Sequence, residues 1–466
     1  MEAWLNNVML SRFQFALTTM FHINLAVLSV GLSVFLVVME ALWLRTGDDD
    51  YYRHARFWSK LFLLNVAVGV VSGVPLEFQF GSNWGPFSAA TGGFFGNILG
   101  FETTMAFMLE AGFLGVMLFG WRRIPRGMHL FATCMVALGA SLSAFWIMVA
   151  NSWMQTPAGG SWQDGRSVTS SFWQAVFNPD MPWGVTHMWF AALETSLFVV
   201  GGISAWYILK NRHVSFFAKS FKVALLAAII IAPAQIYLGD GSGRTVGQHQ
   251  PAKVGALEAL WETNPPGQGA ALKLFAWPDQ AEQKNDWEVG VIPHGLSLLI
   301  THTWNGTVQG LKEFPREDQP PVFIPFFSFR IMAGIGFLML FLMLWTVWAW
   351  YRRDLSPEAI GRQKWLLYAW MAAAPLGYVA VEAGWLVREV GRQPWIIYGL
   401  MRTSEGATSV PAATVSTSLI MYFVVYSILL LAFLVFAARI IGKGPDLERA
   451  VPGSRKESGN AWGGAA

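Results

Sequence analysis

Residues 365–395 read WLLYAWMAAAPLGYVAVEAGWLVREVGRQPW. Most of this stretch is apolar enough to sit in lipid, yet it carries Glu382, two turns ahead of Arg388 and Glu389. A carboxylate at membrane depth is expensive, and as a rule it faces protein, water or a cofactor. Reading the stretch as a membrane helix sets the fold class and also the question of what Glu382 does there.

The rest of the chain supports the membrane reading. Of its 466 residues, 54% are hydrophobic and 13% charged, with 24 Trp and 35 Phe. A soluble protein would carry about 25% charged residues. Nine spans are predicted, at about 15–44, 57–80, 94–121, 127–152, 184–209, 217–239, 323–351, 365–388 and 414–441. Each approaches or exceeds the ~20 residues that cross the hydrocarbon layer. The expected fold class is an all-α polytopic membrane protein. The first run is too long for a signal-peptide core and lacks a clear cleavage site, so it is expected to remain as the first span.

The short connections alternate in charge. Those after spans 1, 3, 5 and 7 carry RTGDDDYYRHAR, WRRIPRG, KNRHVSFFAKSFK and YRRDLSPEAIGRQK. The connection after span 2 has no Lys or Arg, and that after span 4 has only Arg166. The positive-inside rule then predicts the amino terminus outside and the carboxyl terminus inside. Residues 240–322, an 83-residue polar segment between spans 6 and 7, fall outside. Their turn signals (NPPG, WPDQ, DQPP), two amphipathic pieces (AKVGALEALWE, HGLSLLITHTW) and aromatic content predict a packed lid. The organisation expected is 1–239 for spans 1–6, 240–322 for the outer loop, 323–441 for spans 7–9 and 442–466 for a polar, disordered cytoplasmic tail. No internal repeat is evident, and no nucleic-acid partner is expected.

Topology gives each buried polar residue a depth. His22 lies about seven residues into span 1, ~10 Å below the outer boundary at 1.5 Å per residue. His187 is near the outer end of span 5, Met332 about nine residues into span 7, and Glu382 about six residues before the outer end of span 8. Glu102 lies in the outer part of span 3 and Glu110 two turns deeper, within FETTMAFMLEAGF, where no Lys or Arg neutralises them. Five helices thus send candidates to one leaflet. Glu40 and Glu77, near helix ends, are expected to snorkel to water. His54, His129 and His213 lie in or beside basic inner loops and call for no special role, and His249, His294 and His302 match no strong metal motif.

Two deep His residues, a Met and several carboxylates suit haem iron, which takes His, or His with Met, as axial ligands. Two embedded imidazoles are too few for a haem–copper site. Cys134 is the only cysteine, so disulfides, thiolate clusters and a CxxCH haem attachment are excluded within this chain. The residues leave a second reading open, a proton-coupled transporter in which His22, Glu102, Glu110, His187 and Glu382 form a relay without haem.

A resemblance favours the first reading. SRFQFALTTMFH, EFQFGSNW, ALGASLSAFWIMVANSWMQ, FRIM and VEAGWLVREVGRQPW resemble segments of subunit I of cytochrome bd-type quinol oxidases. With KLFLLNVAVG, GISAWYILK, LGDGSG and ALEALWET they run in the family's order from residue 11 to 395. The resemblance implies that His187 and Met332 ligate a low-spin haem b, that His22 ligates one high-spin haem and that Glu382 ligates the other. It implies a high-spin haem b together with haem d, or a further haem b in its place. Lys253 and Glu258, in PAKVGALE, match loop residues implicated in quinol oxidation, Lys253 stabilising negative charge on the quinol oxygen and Glu258 accepting a proton. Arg330 is implied near haem propionates or the quinol region, Arg392 is implied to pair with propionates or loop carboxylates, and Glu102 and Glu110 are implied in proton delivery or charge compensation. The loop resembles the short form, which some cyanide-insensitive relatives share. Quinol, ubiquinol or menaquinol, would be oxidised outside, and O2 reduced to water with protons from inside. The implied partners are a second large membrane subunit and a small single-span one.

Overall fold

The computed structural model describes residues 6–352 and 354–452. Helix α1 (Asn7–Thr46) starts where the Asn6 side chain accepts the Met9 amide, and ends at Gly47, whose φ of 69° suits glycine. Asp48 then caps α2 (Asp49–Ser82) by accepting the Asp50 amide. Helix α3 (Gly85–Phe101) runs through a π-helical turn, Glu102–Phe107, into α4 (Met108–Phe119), and α5 (Arg126–Gln155) returns beside it. After a hairpin, β1 (Gly160–Gln163) and β2 (Arg166–Thr169), come α6 (Phe172–Val176), α7 (Met181–Leu209) and α8 (Val214–His249).

The long connection holds α9 (Pro251–Glu258), the antiparallel pair β3 (Leu272–Asp279) and β4 (Lys284–Ile292), and α10 (Gly295–Thr301). Helix α11 (Phe323–Tyr351) follows. Helices α12 (Lys364–Ala373) and α13 (Leu376–Val390) make one span interrupted before Pro375, which has no amide to continue a helix. A short pair, β5 (Trp395–Ile397) and β6 (Met401–Arg402), with α14 (Thr403–Gly406), leads to α15 (Ala412–Lys443). Among the described residues, nine stretches are long and apolar enough to cross a membrane, matching the nine predicted spans. Three two-stranded hairpins are the only sheets among the described residues, so the fold remains a helical membrane bundle.

Helix α7 sits at the centre, and small residues let its neighbours approach. A Cβ on Gly31 of α1 would lie 2.3 Å from the Ala192 carbonyl oxygen, and one on Gly377 would lie 2.8 Å from Thr195 Cα. Trp370 of α12 fills the space over Gly201, stacks on Phe198 at 4.6 Å and donates its indole N–H to Thr346 at 2.7 Å. Helices α4, α11 and α15 turn Met108, Phe119, Phe341, Trp348, Met421 and Phe423 outward, a surface that suits lipid or a neighbouring subunit.

Three expectations change. Helix α8 continues ten residues past the predicted end at 239, because Gly241 and Gly247 seat the Trp183 and Ile300 side chains and keep the polar turns packed. AKVGALEALWE forms only the eight-residue α9, since Ala259 turns to φ 46°. The tail is partly anchored, with Val451 buried and Arg122 and Arg126 donating to the carbonyls of Ala450 and Pro452. Residues 453–466 of the predicted disordered tail lie outside the described residues.

The α1–α7 contact has a direct test. Gly31→Ala should destabilise the solubilised protein by about 1–3 kcal/mol, because the backbone carbonyl it meets cannot rotate away. Gly127→Ala, where no atom lies within 4 Å, should not. Equal thermal midpoints for the two variants would contradict this packing.

Candidate functional site

The predicted donors collect toward the end of the bundle that carries α9, β3–β4 and α10, here called the loop end. His22 on α1 places Nδ1 3.1 Å from Ser72 Oγ, and the Ser72 hydroxyl donates to the Gly69 carbonyl at 2.9 Å. With that hydroxyl proton committed, Ser72 accepts Nδ1–H and the free lone pair is on Nε2. Tyr426 of α15 donates to the Ser72 carbonyl at 2.9 Å and so ties this part of α2 to α15. Gly73 leaves room for the imidazole, since a Cβ there would come within 2.9 Å of Cε1.

His187 on α7 lies beside Gly239 of α8, with the Gln235 backbone close to its ring and no well-formed hydrogen bond at its buried Nδ1. Met332 on α11 sets its sulfur against Gly384 of α13, where a Cβ would be 3.0 Å away. Glu382 stands two residues earlier on α13, about 160° around the helix. Both of its carboxylate oxygens are buried without a hydrogen-bond partner, although the Asn24 side chain of α1 lies beside it. Helix α13 therefore separates the thioether on one side from the carboxylate on the other.

An ionic layer covers this region. Arg388 pairs with Asp180 and donates to Asn151 and Ser152. Glu389 accepts from Asn151 at 2.9 Å and Gln155 at 3.2 Å and pairs with Arg392. The carboxylate on Arg392 is thus a neighbour at the same helix end, not a loop group. Its Nε and Nη1 remain buried and unpartnered, two donors aimed at something the protein does not supply.

Lys253 and Glu258 point to different partners, as their spacing of five residues predicts. Lys253 is 3% exposed and donates to Gln155 Oε1 at 3.0 Å and the Arg388 carbonyl at 2.9 Å. Burial, then the Arg388 charge, push its ammonium down to about 7. Glu258 pairs with Arg330 at 2.7 Å, and its burial raises the carboxyl above the usual range despite Arg330 and Lys273. Arg330 also donates to the Leu257 and Lys273 carbonyls and lies 3.9 Å from the Phe326 ring centroid, so it clamps the loop onto α11. Beside α9, a cavity of about 500 Å³ is lined by Arg244, Gln248, Val254, Ile300 and Gln309.

Glu102 opens the π-helical turn and accepts from Ser143 of α5 at 2.7 Å. π-turns occur disproportionately at functional sites. Glu110 packs on Gly139, where a Cβ would be 2.9 Å from its own. Glu40 does not snorkel. It is 2% exposed and accepts from Thr133 at 2.8 Å, with His129 Nδ1 also 2.8 Å away. His129 and His54 are likewise buried rather than loop residues. Sequence reading missed Glu194 of α7, 5% exposed and without a hydrogen-bond or ion-pair partner among the described residues. Its signal was the seven-residue spacing from His187, which places both on one helix face ~10 Å apart.

Unpartnered imidazole and carboxylate donors fit iron ligation, and the free Arg392 donors fit a propionate. No group of three or more His, Cys, Asp or Glu gathers for a metal ion among the described residues, and haem needs none because the porphyrin supplies four donors. Fold and donors together define a multi-span membrane protein with imidazole, thioether and carboxylate groups turned inward near one end.

Comparison with known proteins identifies the lineage. Residues 10–445 match the family model of cytochrome bd terminal oxidase subunit I. The chain is 38% identical over 459 residues to cytochrome bd ubiquinol oxidase subunit 1 of Bacillus subtilis, covering 95% of each. It is 33% identical to cytochrome bd-II ubiquinol oxidase subunit 1 of Escherichia coli, covering 94% of this chain and 96% of that one. The bd oxidase structure from Geobacillus thermodenitrificans superposes with a TM-score of 0.86 at 33% identity, covering 94% of this chain and 99% of that one. The chain belongs to the cytochrome bd terminal oxidase subunit I family, whose members are haem-containing terminal quinol oxidases.

Two outcomes follow from the geometry. Gly384→Val should displace the Met332 sulfur and weaken the low-spin visible band of the reduced complex, while an unaltered band would contradict the contact. Lys253 carries its charge below about 7 and loses it above, so quinol kcat/KM should fall as pH rises through neutrality. Lys253→Met should abolish that falling limb. A limb that survives the substitution belongs to another group.

Proposed function

We propose that this chain is the haem-bearing subunit of a quinol:O2 oxidoreductase in a bacterial inner membrane. The observation that carries the site assignment is Glu382, whose two oxygens are buried and unpartnered. Ionised there, the carboxylate would cost far more than a bundle of this size can spare, so it either takes up a proton or is met by a cation, and the second is the reading taken here. An iron-bound porphyrin is that cation in this family.

In this reading, His187 and Met332 hold a low-spin haem b, and His22 and Glu382 each hold a high-spin haem, one of type b and the other haem d or a further haem b. When bound, these groups supply electron transfer and the reduction of oxygen to water. The chain's own part is to orient and insulate. Ser72 fixes the His22 tautomer, Gly384 and Gly239 leave space for the Met332 and His187 ligands, and Arg392 offers its free donors to a propionate.

Residues 240–322 form the quinol-binding loop, lying outside the membrane with the amino terminus, while the carboxyl terminus is cytoplasmic. Lys253 steadies negative charge on the quinol oxygen and Glu258 takes its proton, which leaves to the outside. Glu110 and Glu102 carry protons from the inside toward the high-spin region. Charge is then separated across the membrane without a pump. A second large membrane subunit, with a small single-span one, completes the enzyme, and ubiquinol or menaquinol is the donor. The haem-free transporter has no place for the family motifs.

Ligand variants of the purified complex test the assignment. Met332→Leu should convert the low-spin haem to a high-spin spectrum with total haem nearly unchanged. Glu382→Ala should lower the haem content by one per complex. Wild-type haem content and spectra in both variants would overturn the ligand set.

A further inference from the structure

One face of α5 meets three carboxylates in succession. His129 and Thr133 contact Glu40, Gly139 packs on Glu110, and Ser143 donates to Glu102. At 100° per residue these four positions fall within a sector of about 120°, and they climb ~21 Å along the axis. Glu110 and Glu102 occupy the upper part of this ladder. The lowest rung, near the end of the bundle remote from the loop, has no part in the function described so far.

That rung holds one mobile proton. His129 Nε2 lies 2.9 Å from the Met117 carbonyl, which can only accept, so Nε2 carries a hydrogen. His129 Nδ1 and Glu40 Oε2, 2.8 Å apart, then share a second hydrogen, either as imidazolium and carboxylate or as imidazole and carboxylic acid. Both forms are net neutral, and both groups are 2% exposed. The Thr133 hydroxyl donates to the other Glu40 oxygen at 2.8 Å. The Trp121 ring lies 3.9 Å from His129, tilted by 36°, with the Arg56 guanidinium 5.2 Å from it, and the Arg126 guanidinium at the start of α5 lies 4.5 Å from Trp43 near the end of α1. Met117 is seven residues from Glu110 on α4, two turns along the same helix.

We infer that the Glu40–His129 pair, steadied by Thr133, is the inner loading station of the proton route to Glu110 and Glu102. This rests on the proposed function, in which protons are consumed from the inside. The shared proton travels to the Glu110 carboxylate, about 10 Å further along α4, over intervening water molecules, the pair becomes a carboxylate with a neutral imidazole, and it regains neutrality by taking one proton from the inner aqueous phase. Each proton received by Glu110 is therefore matched by one taken up, and no electron moves at the pair.

The alternative role is a buried tie between α1 and α5. Proton uptake distinguishes the two, because a tie has no reason to alter it once the complex is intact. The experiment uses the whole oxidase in vesicles, with a pH-sensitive dye following uptake during single-turnover oxidation by O2. Glu40→Gln should keep its haem spectrum and its reduction by quinol, yet slow proton uptake at least about tenfold, with Glu40→Asp recovering part of the rate. Thr133→Val, which removes one hydrogen bond and no charge, should slow uptake by a smaller factor and provides the reading if Glu40→Gln fails to assemble. Wild-type uptake in the assembled Glu40→Gln complex, or in Thr133→Val should Glu40→Gln not assemble, overturns the inference. Wild-type vesicles that neither turn over nor take protons from the inside would overturn the proposed function instead.

Discussion

Glu382 imposes a condition on everything around it. An anion inside an apolar bundle must be met by a cation or lose its charge, and here the polypeptide supplies no ion pair and no well-formed hydrogen bond to its oxygens, with only the Asn24 side chain alongside. Glycines at 73, 239 and 384 stand where a larger residue would press on His22, His187 or Met332. A buried carboxylate and a buried imidazole nitrogen without well-formed hydrogen bonds are not a feature of an ordinary helix bundle, whose buried polar groups are as a rule paired.

The same helix that carries Glu382 joins the site to the loop. Its far face bears Gly384 against Met332, and its end presents the Arg388 carbonyl to Lys253. Glu258 reaches α11 through Arg330, two residues before Met332. Both charges proposed to serve quinol are thus tied to the helices that bear proposed iron ligands. Because each tie is a buried charged contact, a change of charge in the loop is felt at those helices with little screening.

Much of this was legible in the sequence. Long apolar runs marked the spans, and Glu382, His22, His187 and Met332 stood out as polar or sulfur-bearing residues at similar depth. The π-turn at Glu102, the continuation of α8 to His249 and the β3–β4 hairpin were not legible. Each depends on tertiary contacts, such as Trp183 over Gly241, that local propensity does not encode. Glu40 misled because its position near a helix end fits snorkelling equally well, and only the approach of α5 supplies His129 and Thr133. Glu194 went unnoticed because nothing in its immediate sequence marks it, whereas its face of α7 is shared with His187.

The central claim is that the unsatisfied donors belong to haem. Pyridine haemochrome analysis of the purified wild-type complex, combined with its reduced-minus-oxidised visible spectrum, addresses that claim most directly. The account predicts three haems per copy of this chain, with a low-spin b-type signal among them. An intact, folded complex containing no haem would contradict it, and would remove the assignments of His22, His187, Met332 and Glu382 together.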